Sequence, residues 1–176
     1  DADNSTRIIP DLMQKADTRN SKAAIKHGIV ILAQFKDVSF KYSRKDFEDL
    51  LTKEGYSEHG AIGSAKEYFN AQFRGNVEFL FDVSNIVTLS GLREEYGAND
   101  ESGQDKGAAE MIMEACKLAD ETVDFSLYDD NSDGEIDNVF VFFAGEDEAE
   151  GADESCIWSH AWYIYSGAGY NVRLDG

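Results

Sequence analysis

The chain has 176 residues, 42% of them apolar, and carries a formal net charge of −19 at pH 7. That length and apolar content suit one domain with its own core. No run of about 18 apolar residues is present to cross a bilayer, and so acidic a chain repels phosphate backbones and anionic lipid, which excludes nucleic acid and membrane insertion.

Residues 1–27 are polar and hold the only proline, Pro10. They read as an N-terminal arm or propeptide remnant with one short helix over residues 12–16. The start, Asp1-Ala2-Asp3-Asn4, has no basic region followed by an apolar stretch, so a signal peptide is expected to have been removed or to lie outside this sequence. Residues 28–176 read as one domain.

Gly28-Ile29-Val30-Ile31-Leu32-Ala33-Gln34-Phe35 is an apolar run too short for a typical helix. It is rich in β-branched residues, as in a strand buried on both faces. Ser43 is placed as a helix N-cap before an apolar stripe of Phe47, Leu50 and Leu51, and that helix ends at Gly55. A second helix starts near Ser64, presents Tyr68, Phe69 and Phe73, and closes at Gly75. Residues 77–89 alternate as a half-buried strand does. A Gly-, Asn- and Asp-rich loop covers 90–107, and a third helix covers 106–120 with Ile112, Cys116 and Ala119 inward.

After the loop 129–137, residues 139–144 read as another strand buried on both faces. Residues 145–155 form an acidic loop, residues 157–165 an aromatic strand, Gly167-Ala168-Gly169 a turn, and residues 171–173 a last strand. Strands alternating with helices give an α/β sandwich whose sheet is expected to be mixed, flanked by about three helices. Cys116 reads as a small buried hydrophobe. Cys156 reads as free to pair with residues outside this sequence.

The most specific signal is Asp129-Asp130-Asn131-Ser132-Asp133-Gly134-Glu135-Ile136-Asp137. Counted from Asp129, side-chain oxygens fall at alternate positions 1, 3 and 5 and again at 9, with Gly134 at 6 for the sharp turn, as in the first nine positions of an EF-hand loop. Asp129, Asn131, Asp133, Asp137 and the Glu135 carbonyl are the candidate calcium ligands, and Ile136 the anchor to the core. A strand follows instead of a helix, and position 12 is Phe140, so the bidentate glutamate is missing. The unit is a helix–calcium loop–strand, structural in character; an Asp/Asn/Gly turn without metal is the competing reading. Between Lys117 and Arg173 there is no Lys or Arg but 14 Asp and Glu. The cluster of Glu146, Asp147, Glu148, Glu150, Asp153 and Glu154 is read as a solvated acidic loop in preference to a second calcium site.

Several stretches taken in order resemble the immune inhibitor A family of zinc metalloendopeptidases. They are Ile29-Val30-Ile31-Leu32-Ala33-Gln34-Phe35, Ser64-Ala65-Lys66-Glu67-Tyr68-Phe69, Tyr96-Gly97-Ala98-Asn99-Asp100, Ala115-Cys116-Lys117-Leu118-Ala119-Asp120, Tyr128-Asp129 into the loop, and Ile157-Trp158-Ser159-His160-Ala161-Trp162. Phe73-Arg74-Gly75-Asn76-Val77 departs from the family's turn. The resemblance implies a zincin-like fold, secretion, protein or peptide substrates, and hydrolysis by a zinc-bound water in the complete protein. Family zinc ligands sit on a HExxH helix. His27, His59 and His160 are not in that pattern, so the motif is expected beyond Gly176, with the remainder of the peptidase as partner, and this chain alone is expected to be inactive.

Trp158 and His160, alternating with Trp162, are candidate substrate-binding residues on a strand that an extended peptide could pair with. The competing reading has the tryptophans in the core and His160 hydrogen-bonded. Two functions follow: half of a secreted zinc peptidase, or a calcium-stabilised extracellular binding domain of peptidase ancestry without catalysis.

Overall fold

The structure is a computed structural model that describes residues 23–175. The helix expected at 12–16 and most of the N-terminal arm lie outside the described residues. Strand β1, Ala24–Gln34, is the centre of a three-stranded sheet ordered β2-β1-β3, with β2 at Val77–Thr88 and β3 at Val139–Phe143. β1 starts four residues ahead of the expected Gly28 because Ala24 through Gly28 pair with Val77 through Phe81.

Both pairings of β1 are parallel, which corrects the expected mixed sheet. Parallel neighbours need crossover helices, and the chain supplies them. Helices α1, Arg44–Thr52, and α2, Ala65–Gln72, lie between β1 and β2, while α3, Arg93–Gly97, and α4, Ala108–Ala119, lie between β2 and β3.

The alternation along β1 builds two cores. Ile29, Ile31, Ala33 and Phe35 pack with Met111, Ala115, Cys116 and Ala119 of α4. Val30 and Leu32 pack with Phe47 and Leu51 of α1, Phe69 of α2, and Phe81 and Val83 of β2. Ile29 through Ala33 are at most 1% exposed, which is why the run carries no polar residue. Ile29, Val30, Ile31 and Leu32 each contribute about 1.5–3 kcal/mol by leaving water.

α1 and α2 start where Ser43 and Ser64 place them. Each serine is an N-cap in a capping box, with Asp46 and Glu67 as reciprocal acceptors, and each cap contributes about 1 kcal/mol. The turn at residues 73–77 holds Arg74 at φ 52 ahead of Gly75 at φ 75. β3 is only half-buried, with Phe140 at 38% exposure. Its place at the sheet edge corrects the expectation of burial on both faces.

The C-terminal stretch is a further correction. Ile157 makes one parallel bridge, with Asp147, after which residues 158–163 are irregular and α5 forms at Ile164–Ala168. The amides that a strand would offer to a neighbour are taken by carboxylates: Asp105 Oδ2 accepts from Trp158 N at 3.0 Å and Asp147 Oδ1 from Ser159 N at 3.1 Å. Gly167-Ala168-Gly169, read as a turn, ends α5, with Gly169 as its left-handed C-cap at φ 75. Residues 171–173 form no strand.

Candidate functional site

The 129–137 loop leaves a short 3₁₀ turn, Phe125–Tyr128, and delivers the chain to β3. Its side-chain oxygens turn onto its own amides. Asp129 accepts from Asp133 N at 3.1 Å and Gly134 N at 2.8 Å. Asn131 Oδ1 accepts from Asp133 N at 2.9 Å, and Asp133 Oδ1 from Glu135 N at 2.9 Å. Asp137 Oδ2 closes the loop by accepting from Asp130 N at 2.8 Å. Gly134 adopts φ 85, the left-handed conformation its position requires.

The Gly134 amide holds the Asp129 carboxyl below the usual carboxylate range, with burial opposing and the Asp133 amide adding to the effect. The donor chemistry is all oxygen, which suits a hard cation, and Ile136 packs on the core as expected of its anchor. The carboxylates are nonetheless engaged by amides: among the described residues no group of three or more His, Cys, Asp or Glu is gathered as a metal set.

Asp130, the residue between two candidate ligands, was not singled out by the alternate spacing. It faces the other way, with Oδ2 at 3.1 Å from Lys26 Nζ and Oδ1 at 3.0 Å from His27 Nδ1. This ties the loop to the start of β1, inside the stretch read as an arm. Burial raises the Asp130 carboxyl pKa, and the His27 and Lys26 contacts more than offset it, so the net shift is downward.

Trp158 and His160 do not share a strand face, because no strand forms there. Trp158 is 52% and Trp162 56% exposed, so neither is core. His160 Nδ1 lies 2.6 Å from the Trp158 carbonyl, and its ring centroid lies 4.1 Å from that of Trp162. A cleft lies beside Trp162, lined also by Asp100, Asp105, Glu110 and Gly167. Asp105 was missed by sequence reading; it lies 53 residues from the amide it holds, and no local pattern marks it.

The three histidines are apart in their contacts. His27 pairs with Asp130, His59 packs on the Tyr42 ring, and His160 on Trp162. These residues do not fit a zinc site. Both cysteines are free and buried. Burial, with Asp120 nearby, pushes the Cys116 thiol up to about 12. Cys156 is 1% exposed and packed on Gly97, where an added Cβ would stand 2.6 Å from the Cys156 carbonyl carbon. In the acidic loop, Glu146, Glu150, Asp153 and Glu154 are exposed as expected, but Asp147 and Glu148 are half-buried and hydrogen-bonded.

Compared with known proteins, residues 7–173 match the family model described as immune inhibitor A peptidase M6, catalytic domain. The chain is also 26% identical over 179 residues to Immune inhibitor A of Bacillus thuringiensis subsp. alesti, an alignment that covers 90% of this chain and 26% of that protein. The chain thus spans about a quarter of the length of the curated relative it matches.

Proposed function

From a chain that belongs to the immune inhibitor A family of M6 peptidases, we propose the function of a structural part of the catalytic domain of a secreted zinc endopeptidase that hydrolyses peptide bonds of proteins. The observation that carries this is the family match across nearly the whole chain, 7–173. The described residues supply no zinc ligands, so the zinc-bound water and its general base belong to other parts of the complete protein. This chain by itself is inactive in that reading.

Its own contribution is framework and surface. The parallel sheet gives a rigid floor. The 129–137 loop would hold calcium through Asp129, Asn131, Asp133, Asp137 and the Glu135 carbonyl, fixing the entry into β3. Support for this comes from the oxygen-only donor set and the curled backbone around Gly134. The exposed Trp158 and the His160–Trp162 pair offer aromatic surface to a peptide substrate, a role supported by their exposure rather than by a strand edge. The test is cleavage of a protein substrate by the complete protein with and without a zinc chelator. Absence of cleavage by a folded, zinc-loaded complete protein would favour the non-catalytic extracellular binding domain instead.

A further inference from the structure

Strand β1 enters the sheet with one edge open. Ala24 through Gly28 pair with Val77 through Phe81 of β2, but pairing with β3 starts only at Ile29↔Val139. Burial follows the pairing: Ala24 and Ile25 are exposed, Lys26 and His27 half-buried, and Gly28 buried. Five residues held by a single ladder open more readily than a strand paired on both sides.

The contacts that β3 does not supply come from the loop leading into it, 103 residues away in sequence. Asp130 Oδ1 stands 3.0 Å from His27 Nδ1, and Oδ2 stands 3.1 Å from Lys26 Nζ. The Lys26 contact lacks hydrogen-bond alignment and acts through charge. Consecutive residues of a strand point to opposite faces of the sheet. One carboxylate that reaches both Lys26 and His27 therefore straddles the strand edge, and the other edge belongs to β2. The Asp130 side chain is only 10% exposed.

The backbone behind Asp130 is fixed separately. Asp130 N donates to Asp137 Oδ2 at 2.8 Å, and Asp137 N to the Tyr128 carbonyl at 3.0 Å. Tyr128 packs in the core with Ile29 and Ile31 and donates its hydroxyl to Asp82 Oδ2 at 3.1 Å. Asp82 is the β2 partner of Ile29, the residue at which β3 joins. The loop is thus rooted where the sheet becomes three-stranded, and reaches from there to the one-sided overhang.

We propose that the 129–137 loop is a clasp on the entry of β1, so that ordering of the loop and seating of residues 24–28 are coupled. Such coupling is reciprocal. Whatever orders the loop, the calcium of the proposed function included, also seats the stretch through which residues 1–22 join the domain. Loss of that stretch loosens the loop in turn. The clasp itself requires no metal.

The experiment is hydrogen exchange read by mass spectrometry on the complete protein, in chelator, so that the calcium reading has no part in the outcome. Asp130→Ala should speed exchange over 24–28 about fivefold to tenfold, the size expected of a partly exposed charged contact. Lys26→Ala/His27→Ala should speed exchange over 129–137 by a similar factor. Both variants should leave α4, Ala108–Ala119, unchanged. An effect confined to the mutated segment overturns the proposal, and so does an equal rise in α4, which would show general loosening. Should Asp130→Ala not fold, the double variant at half-buried positions carries the test: faster exchange over 129–137 alone supports the clasp, and unchanged exchange there overturns it.

Discussion

The Ser84 hydroxyl accepts the Leu32 amide at 3.1 Å, buried where the pairing of β1 with β2 slips by one residue. The register runs Val30↔Val83 and then Leu32↔Ile86, so β2 carries one extra residue at the bulge. Ser84 supplies the acceptor there from its side chain and donates its own hydroxyl hydrogen bond to the Asn85 carbonyl at 2.6 Å. Ser84→Ala strands a buried amide at the centre of the sheet, a loss of about 1–3 kcal/mol. Urea unfolding of the two proteins measures it, and equal stability would show that the bond is dispensable.

Calcium binding by the 129–137 loop should stabilise the fold. A ligand that binds only the native state adds about 2.7 kcal/mol at a hundredfold excess over its dissociation constant. Thermal melting should therefore shift upward in calcium and back in chelator, with Asp129→Asn and Asp133→Asn reducing the shift. Identical melting curves in calcium and chelator would contradict the assignment.

Acid should weaken the start of α2. Glu67 accepts Ser64 N at 2.8 Å and Gly55 N at 3.0 Å. The Ser64 amide first, then the Gly55 amide, hold its carboxyl below the ordinary value, against a smaller effect of burial. A carboxyl whose folded pKa is depressed contributes its stability above the unfolded value, about 4.3, and loses it as pH falls through the folded one. The melting difference between the native chain and Glu67→Gln should be present at neutral pH and vanish on acidification. A difference independent of pH would show that charge on Glu67 plays no part.

The parts of this fold that were legible in the sequence are those whose signals are local. The apolar run of β1, the N-cap at Ser43, the helix start at Ser64 and the stripe of α4 each rest on signals within a dozen residues, and each forms where expected. The 129–137 spacing likewise gave a curled loop with Gly134 at its turn. What misled was non-local. The 157–165 stretch alternates like a strand, but Asp105 and Asp147 bind its amides from elsewhere in the chain. α3 was hidden because five residues carry no apolar period; Glu95 caps it by accepting from Leu92 N at 2.6 Å. The Lys26–His27–Asp130 pairing crosses more than a hundred residues, beyond any local pattern.

An aromatic surface gathers in the last quarter of the chain. Trp158, Trp162, Tyr163, Tyr165 and Tyr170 are all more than half exposed. Exposed apolar side chains that form a contiguous patch mark an interaction face. The 176-residue chain on its own should self-associate in light scattering after size exclusion and should enhance the fluorescence of a hydrophobic dye. A dye-silent monomer would show that these rings do not form a sticky surface.

The proposed function makes this chain part of a zinc peptidase that carries none of the zinc chemistry itself. It is tested most directly by incubating casein with the zinc-loaded 176-residue chain and, in parallel, with the complete protein. The chain should leave casein intact while the complete protein cleaves it and stops when zinc is chelated. Chelator-sensitive cleavage by the purified chain alone, free of contaminating protease, would contradict it.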